Sequence, residues 1–423
     1  MSEFDKVIGY DDIKLELIRL CDVLKNSKSY AELGVTLPRG ILLCGEPGLG
    51  KTMMAKSFIS EVGCKAYTIR KDKPDGDFTN KIRETFEQAK ENELSIVFLD
   101  DMDKFANEDE RHRDAEEYVT VQACIDDCKD HDLFVIATVN DKYCLPDSLI
   151  RAGRFDKLIE MRPPNNKDSE KIIRFFLEGK KVANDIDPYE ISRILEKRTC
   201  AEFQTVINEA GIYAGYEGRA QIEKDDLIRA CMRMLFGAPE IIDFKEESWK
   251  KIIAVHEAGH AVIRELLDPG CVSLVSVKNY SGGIGGVTIT HRPDEFYYSK
   301  DLMEHEIIGS LGGKAATEII LGRVDVGCNA DLHTAFARVN DFIENRCTNG
   351  FETFSDVNCA SNYLLEKRDR LVASEMERYY LEAKRLIAEN RGFFDEMAEA
   401  LMEKTTLTYK DIQKIREKHI TYA

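Results

Sequence analysis

The sequence predicts an α/β domain with a helical appendage, followed by a mainly helical domain, and three observations carry that prediction. Short apolar runs alternate with amphipathic segments up to about residue 160. A glycine-rich turn, Gly45-Glu46-Pro47-Gly48-Leu49-Gly50-Lys51-Thr52, joins one apolar run to a following helical pattern. Further on, His256-Glu257-Ala258-Gly259-His260 falls inside a second helical, apolar pattern.

In the first region the strand candidates are Gly40–Cys44, Ile96–Leu99 and Leu133–Val139. Helical patterns at Thr52–Glu61 and Lys81–Asn92 separate them, a rhythm that predicts a parallel sheet covered by helices. From Lys167 to Phe236 the pattern is helical only. Gly237-Ala238-Pro239 breaks it, and Gly237–Glu247 reads as a linker. Trp249, Ile252, Ile253 and Leu266 then mark one apolar helix face, ended by Asp268-Pro269-Gly270. A β-rich stretch, Val272–Thr290, contains Gly282-Gly283 and Gly285-Gly286, and the remainder reads as helical with long charged faces.

The chain has 423 residues, enough for about three domains with separate cores. Charged residues make up 32% and hydrophobic residues 43%, the balance of a soluble globular protein. The formal net charge of −18 argues against a nucleic-acid partner, which needs a basic face. Twelve cysteines stand mostly in apolar runs with no CxxC pair, so a reducing, cytoplasmic compartment is expected. Cys124 and Cys128, four apart on a helical pattern, read more simply as small hydrophobes than as metal ligands. No apolar run approaches the ~20 residues of a membrane span, and no signal peptide is evident.

The glycine-rich turn fits a phosphate-binding P-loop. Its glycines let backbone N–H groups close on phosphate oxygens, and the helix that follows adds the positive end of its dipole. Gly45, Pro47, Gly48, Leu49, Gly50, Lys51, Thr52 and Met53 are expected to line ATP, with Lys51 on the outer phosphates and Thr52 on Mg²⁺. Asp100, at the end of Ile96–Leu99, suits the Mg²⁺ shell, and Asp101 suits orientation of the attacking water. Asn140 ends the next strand, where it can sense the γ-phosphate. Arg151 and Arg154, flanking a glycine turn, are either surface charge or fingers reaching a neighbouring subunit's ATP; the second reading implies a ring.

On a helix, positions i and i+4 share a face, so His256 and His260 can bind one Zn²⁺. Glu257 lies beside that face, placed to act as general base. Zinc needs a third protein ligand, and spacing alone leaves Asp331 and His333 both open, near the start of a helical pattern at Asp331–Arg346.

Taken together, these motifs resemble the FtsH-type AAA zinc proteases over nearly the whole chain. Phe4-Asp5-Lys6-Val7-Ile8-Gly9 is similar to that family's opening segment, which implies that Ile8 and Gly9 border the adenine. Arg151-Ala152-Gly153-Arg154-Phe155-Asp156, Asn208-Glu209-Ala210 and Gly237-Ala238 match further family marks in order. Gly327-Cys328-Asn329-Ala330-Asp331-Leu332 resembles the segment supplying the family's aspartate ligand, which implies Asp331. The resemblance implies an AAA large subdomain with a five-stranded sheet at 1–163, a helical lid at 164–240 and a zinc metallopeptidase domain at 241–423. It also implies a homo-hexamer that hydrolyses ATP to unfold protein substrates and feed them to the zinc sites. The alternative is an AAA remodeller or chaperone with weak or ATP-independent peptidase activity.

Four departures from the family stand out. Asp101 replaces the usual glutamate, which predicts slower ATP turnover. The pore segment from Arg70 to Phe78 is short and charged, with Phe78 its only aromatic. Ala152 replaces a proline. No membrane anchor is seen, so membrane association is expected only through a segment absent from this chain, with a location in the cytoplasm or on the cytoplasmic face of a membrane.

Overall fold

The computed structural model describes residues 2–71, 77–106, 115–129, 131–151, 153–237, 240–241, 247–280, 284–292, 299–323, 327–353 and 361–420. Residues 72–76 of the charged pore segment, Ala152, Ala238 and Pro239 of the linker, and Gly282-Gly283 lie outside the described residues. By internal packing the chain divides into two compact units, 1–179 with 197–208, and 180–196 with 209–423.

The first unit is built on a five-stranded sheet: β1 Gly40–Cys44, β2 Lys65–Ile69, β3 Ser95–Leu99, β4 Leu133–Val139 and β5 Lys157–Glu160, in the order β2-β3-β4-β1-β5. All neighbours pair in parallel; Leu43 stands opposite Thr138, and Leu99 opposite Ala137. Every residue of β1, β3 and β4 is buried, as a central strand covered on both faces requires. Alternate residues feed two cores. Leu42, Val97, Leu99, Val135 and Ala137 join Ile82 and Phe86 on one face. Ile41, Leu43, Phe98, Phe134 and Ile136 join Leu17, Met54 and Phe58 on the other. Each fully buried side chain of this size contributes about 2 kcal/mol of transfer free energy. The strands β2 and β5 were not expected individually. They are the sheet's edges, and β2 is mostly exposed, so their sequences carry polar residues.

Phe78 is not a projecting aromatic. It opens the helix Phe78–Lys90 and is 4% exposed, stacked edge-on against Phe105 at 5.2 Å. With Ile82 and Phe86 it forms an i, i+4, i+8 stripe facing the core.

Between 167 and 236 the helices are Asn166–Leu177, Pro188–Ile194, Cys200–Tyr216 and Lys224–Phe236, with one isolated bridge between Val182 and Ile222. Gly237, at φ 64°, ends the last of them in the left-handed conformation glycine tolerates best.

The second unit centres on the helix Glu247–Leu267, which crosses the helix Lys300–Leu321 at paired glycines. A Cβ on Gly259 would fall 2.4 Å from the carbonyl oxygen of Gly312, and one on Gly312 2.6 Å from that of Gly259. The glycine of His-Glu-Ala-Gly-His is therefore fixed by helix packing. A short sheet lies alongside: β6 Glu240–Ile241, β7 Val272–Tyr280 and β8 Ile284–Thr290 in that order, with β9 Thr406–Thr408 also pairing with β7. The strand β9 interrupts a tail read as helical throughout. Its three residues are too few for an alternating pattern to register. The helices Asn329–Glu344, Asn362–Glu389 and Arg391–Lys404 complete the core.

Candidate nucleotide and metal centres

The P-loop runs from β1 into the helix Lys51–Val62. Gly45, Gly48 and Gly50 sit at φ 145°, 85° and 89°, and a Cβ on Gly48 would lie 2.7 Å from that of Ala201. The Lys51 ammonium donates to the carbonyls of Gly45 (2.6 Å) and Glu46 (2.8 Å) and to Asn140 Oδ1 (3.0 Å). Burial lowers its pKa, and the carboxylates of Asp103, Asp101 and Asp100 oppose that fall. The Thr52 hydroxyl donates to Asp100 Oδ1 at 2.9 Å. Leu49 is buried, Pro47 and Met53 are exposed, and Ile8 is half-buried. Gly9, at φ 76°, packs so closely on the Asp168 carboxyl that a Cβ would fall 2.7 Å from it.

Three partners were not found from sequence. Thr138 donates to Asp100 Oδ1 and accepts from the backbone N–H of Asp101, both at 2.9 Å, so one hydroxyl sets both acidic residues. Asp103 accepts from Asn140 Nδ2 at 2.9 Å. Arg70, just after β2, approaches Asp100 at 3.5 Å and Asp101 at 3.9 Å. Asp101 takes a left-handed backbone at φ 54°, and its carboxylate accepts from Lys104 at 2.6 Å. Of the two arginines, Arg154 is turned inward, bonded to Asp126 at 2.7 Å and to the Ser148 carbonyl. Arg151 is exposed, with its Nε donating to the Ser148 carbonyl at 3.3 Å.

His256 and His260 lie on the Glu247–Leu267 helix, and Asp331 lies in the first turn of Asn329–Glu344. The His256 and His260 Nε2 atoms are 3.1 Å apart; Asp331 Oδ2 lies 3.2 Å from the first and 3.5 Å from the second. Ligand atoms bound tetrahedrally to one zinc stand about 3.3 Å apart, so the three donors fit that ion. His260 Nδ1 donates to the Gly309 carbonyl at 2.8 Å, which leaves the Nε2 lone pair facing the centre. Burial opposes the Asp331 charge, but the two imidazoles beside it hold its carboxyl well below the usual range. His333 is exposed and is not among the converging groups. Among the described residues no other group of three histidine, cysteine or acidic side chains converges in this way, and Cys124 and Cys128 are buried in the sheet core. His112 lies outside the described residues.

Glu257 is buried, and burial raises its pKa against the pull of the two histidines and Thr288. The Thr288 hydroxyl on β8 donates to Glu257 Oε2 at 2.8 Å. Gly286, at φ 129°, leaves room beside Oε1: a Cβ would fall 2.8 Å from it. Gly313 bears directly on one of the candidate metal ligands, since a Cβ there would fall 2.4 Å from His256 Cε1. Nothing in the local sequence marks Thr288, Gly286 or Gly313, because their partners are remote in the chain.

Comparison with known proteins agrees with this geometry. Residues 41–163 match the model of the ATPase family associated with various cellular activities (AAA), and residues 243–415 match that of peptidase family M41. The ATP-dependent zinc metalloprotease FtsH of Caldicellulosiruptor bescii is 31% identical, aligned over 97% of this chain and 71% of its own. FtsH 3 of Synechocystis is 29% identical over 97% and 72%. FtsH 1 of Thermoanaerobacter is 31% identical over the same shares.

Proposed function

Because this chain belongs to the FtsH family of ATP-dependent zinc metalloproteases, we propose that ATP hydrolysis at the Gly45–Thr52 loop drives protein substrates to peptide-bond hydrolysis at the His256, His260 and Asp331 centre. The convergence of those three ligand atoms beside a buried glutamate carries the reading.

In the ATPase, Lys51 would hold the outer phosphates in place of the P-loop carbonyls, and Thr52 and Asp100 would hold Mg²⁺, which when bound neutralises phosphate charge. Asp101 orients the attacking water and Asn140 reads the γ-phosphate. Ile8 and Gly9 border the base. Arg151, exposed, is the better placed of the two arginines to reach a neighbouring subunit, and Arg154 holds the turn that presents it. Both roles need a ring, and a homo-hexamer is the assembly we assign. Our division of the chain is 1–163 and 164–240 for the motor, and 241–423 for the peptidase.

In the peptidase, His256, His260 and Asp331 would hold Zn²⁺, which when bound supplies a Lewis acid that activates water and polarises the scissile carbonyl. Glu257 is the proton carrier. Thr288 anchors Oε2, so Oε1, beside the space left by Gly286, takes the proton from the attacking water and returns it to the leaving amine. The Gly309 carbonyl keeps the His260 proton on Nδ1 throughout.

Eleven free cysteines among the described residues support a reducing, cytoplasmic setting. Among the described residues no helix is long and apolar enough to cross a membrane. The test is casein degradation with ATP, with a non-hydrolysable analogue, and with a zinc chelator. Degradation with ATP alone is expected; equal degradation with the analogue would remove the coupling, and degradation in chelator would remove the metal.

A further inference from the structure

We propose that Arg264 is a specificity-determining residue that holds a carboxylate of the bound polypeptide beside the metal centre. The proposal rests on the peptidase reading above.

Arg264 lies one turn beyond His260 on the same helix, about 6 Å along its axis, and at four-residue spacing it continues the face of the two imidazoles. Its side chain lies across Gly309, where a Cβ would fall 3.0 Å from Arg264 Cγ and 3.3 Å from Cζ and Nε. The same residue accepts the Nδ1–H of His260. Gly309 thus seats both the metal-ligating imidazole and the guanidinium.

Among the described residues the Arg264 guanidinium has no carboxylate within 4.0 Å and no hydrogen-bond acceptor. Two further arginines, Arg292 and Arg338, stand near it. Burial disfavours its charge and Arg338 and Arg292 repel it, while Cys271 and Asp331 act the other way. Arg292 and Arg338 both pair with the Glu306 carboxylate, Arg338 at 3.3 Å. Arg338 stands two turns beyond Asp331, so each ligand-bearing helix carries an arginine on its metal-facing side. Glu306 and Arg338 also line a cavity of about 370 Å³ with Met303, Ala337, Asp341 and Arg346.

A half-buried guanidinium without an acceptor keeps five donors that only water satisfies. An arriving carboxylate replaces that water with a bidentate, charge-assisted pair. The guanidinium lies against Gly309, the residue whose carbonyl holds His260, and extended polypeptide rises about 3.3 Å per residue, so the group meets the substrate within a few residues of the scissile bond. The carboxylate is therefore an acidic side chain at that distance or the chain's C-terminus.

The test uses the full chain with zinc and fluorogenic peptides matched except for Glu or Gln two residues from the scissile bond, each with a free or amidated C-terminus. Cleavage is measured in the wild type, and binding by anisotropy in a Glu257→Gln background. The expected Glu-to-Gln ratio in kcat/KM, or the free-to-amidated ratio if the terminus is the ligand, is about tenfold. Arg264→Gln brings it to about one, and Arg264→Lys leaves an intermediate value. A wild-type ratio of one, or a ratio that survives Arg264→Gln in correctly folded, zinc-loaded protein, overturns the proposal. Wild-type protein that cleaves neither peptide nor casein overturns the peptidase reading instead, and the anisotropy ratio still decides the role of Arg264.

Discussion

The ring of His256 lies flat against Gly313, so close that a single methyl group on that glycine would fall 2.4 Å from Cε1. The helix Lys300–Leu321 thereby fixes the plane of a metal ligand on its neighbour. Gly313→Ala is expected to tilt the imidazole and lower zinc affinity about 10- to 100-fold, with peptidase activity falling in step. Zinc titration against a chromogenic chelator measures it. Wild-type zinc affinity in that variant would show the contact to be incidental.

Thr288 and Glu257 give a second prediction. Removing the hydroxyl in Thr288→Val frees Glu257 Oε2 without touching a metal ligand. The carboxylate then samples rotamers in which Oε1 misses the water, so kcat falls about tenfold with KM little changed. A rise in KM alone would place Thr288 in substrate binding.

Asp101 is short for its task and is held by Lys104 at 2.6 Å. Asp101→Glu restores a methylene of reach, and phosphate release should rise several-fold. Asp101→Asn should retain ATP binding and lose turnover. Slower turnover in Asp101→Glu would mean that the left-handed backbone at this position has adapted to the shorter side chain.

The two arginines should separate by stability. Arg154→Ala breaks a partly buried pair with Asp126 and is expected to cost about 1–3 kcal/mol, with a lower melting temperature and lower ATPase activity. Arg151→Ala, at an exposed position, should lower ATPase activity at an unchanged melting temperature. Full turnover in Arg151→Ala would remove the finger role from it.

The parts of this architecture written in local sequence were legible there. The strands β1, β3 and β4 are continuous apolar runs because both faces are covered, and the P-loop and the His256–His260 pair obey fixed spacings. The edge strands β2 and β5 escaped because an edge half in water carries polar residues. For Phe78, the one aromatic of the charged segment, the spacing to Ile82 and Phe86 already described a buried helix face. The choice between Asp331 and His333 turns on which side of one helical turn faces the imidazoles, and spacing could not supply that. Thr138, Thr288, Gly309 and Gly313 owe their roles to residues 31 to 57 positions away, beyond the reach of periodicity.

The central claim is that one buried carboxylate moves the proton in peptide hydrolysis while a separate centre hydrolyses ATP. Casein cleavage and phosphate release measured side by side in Glu257→Gln test it most directly. Phosphate release within about twofold of wild type, with cleavage lost, is the predicted result. Cleavage that continues in that variant would contradict the account.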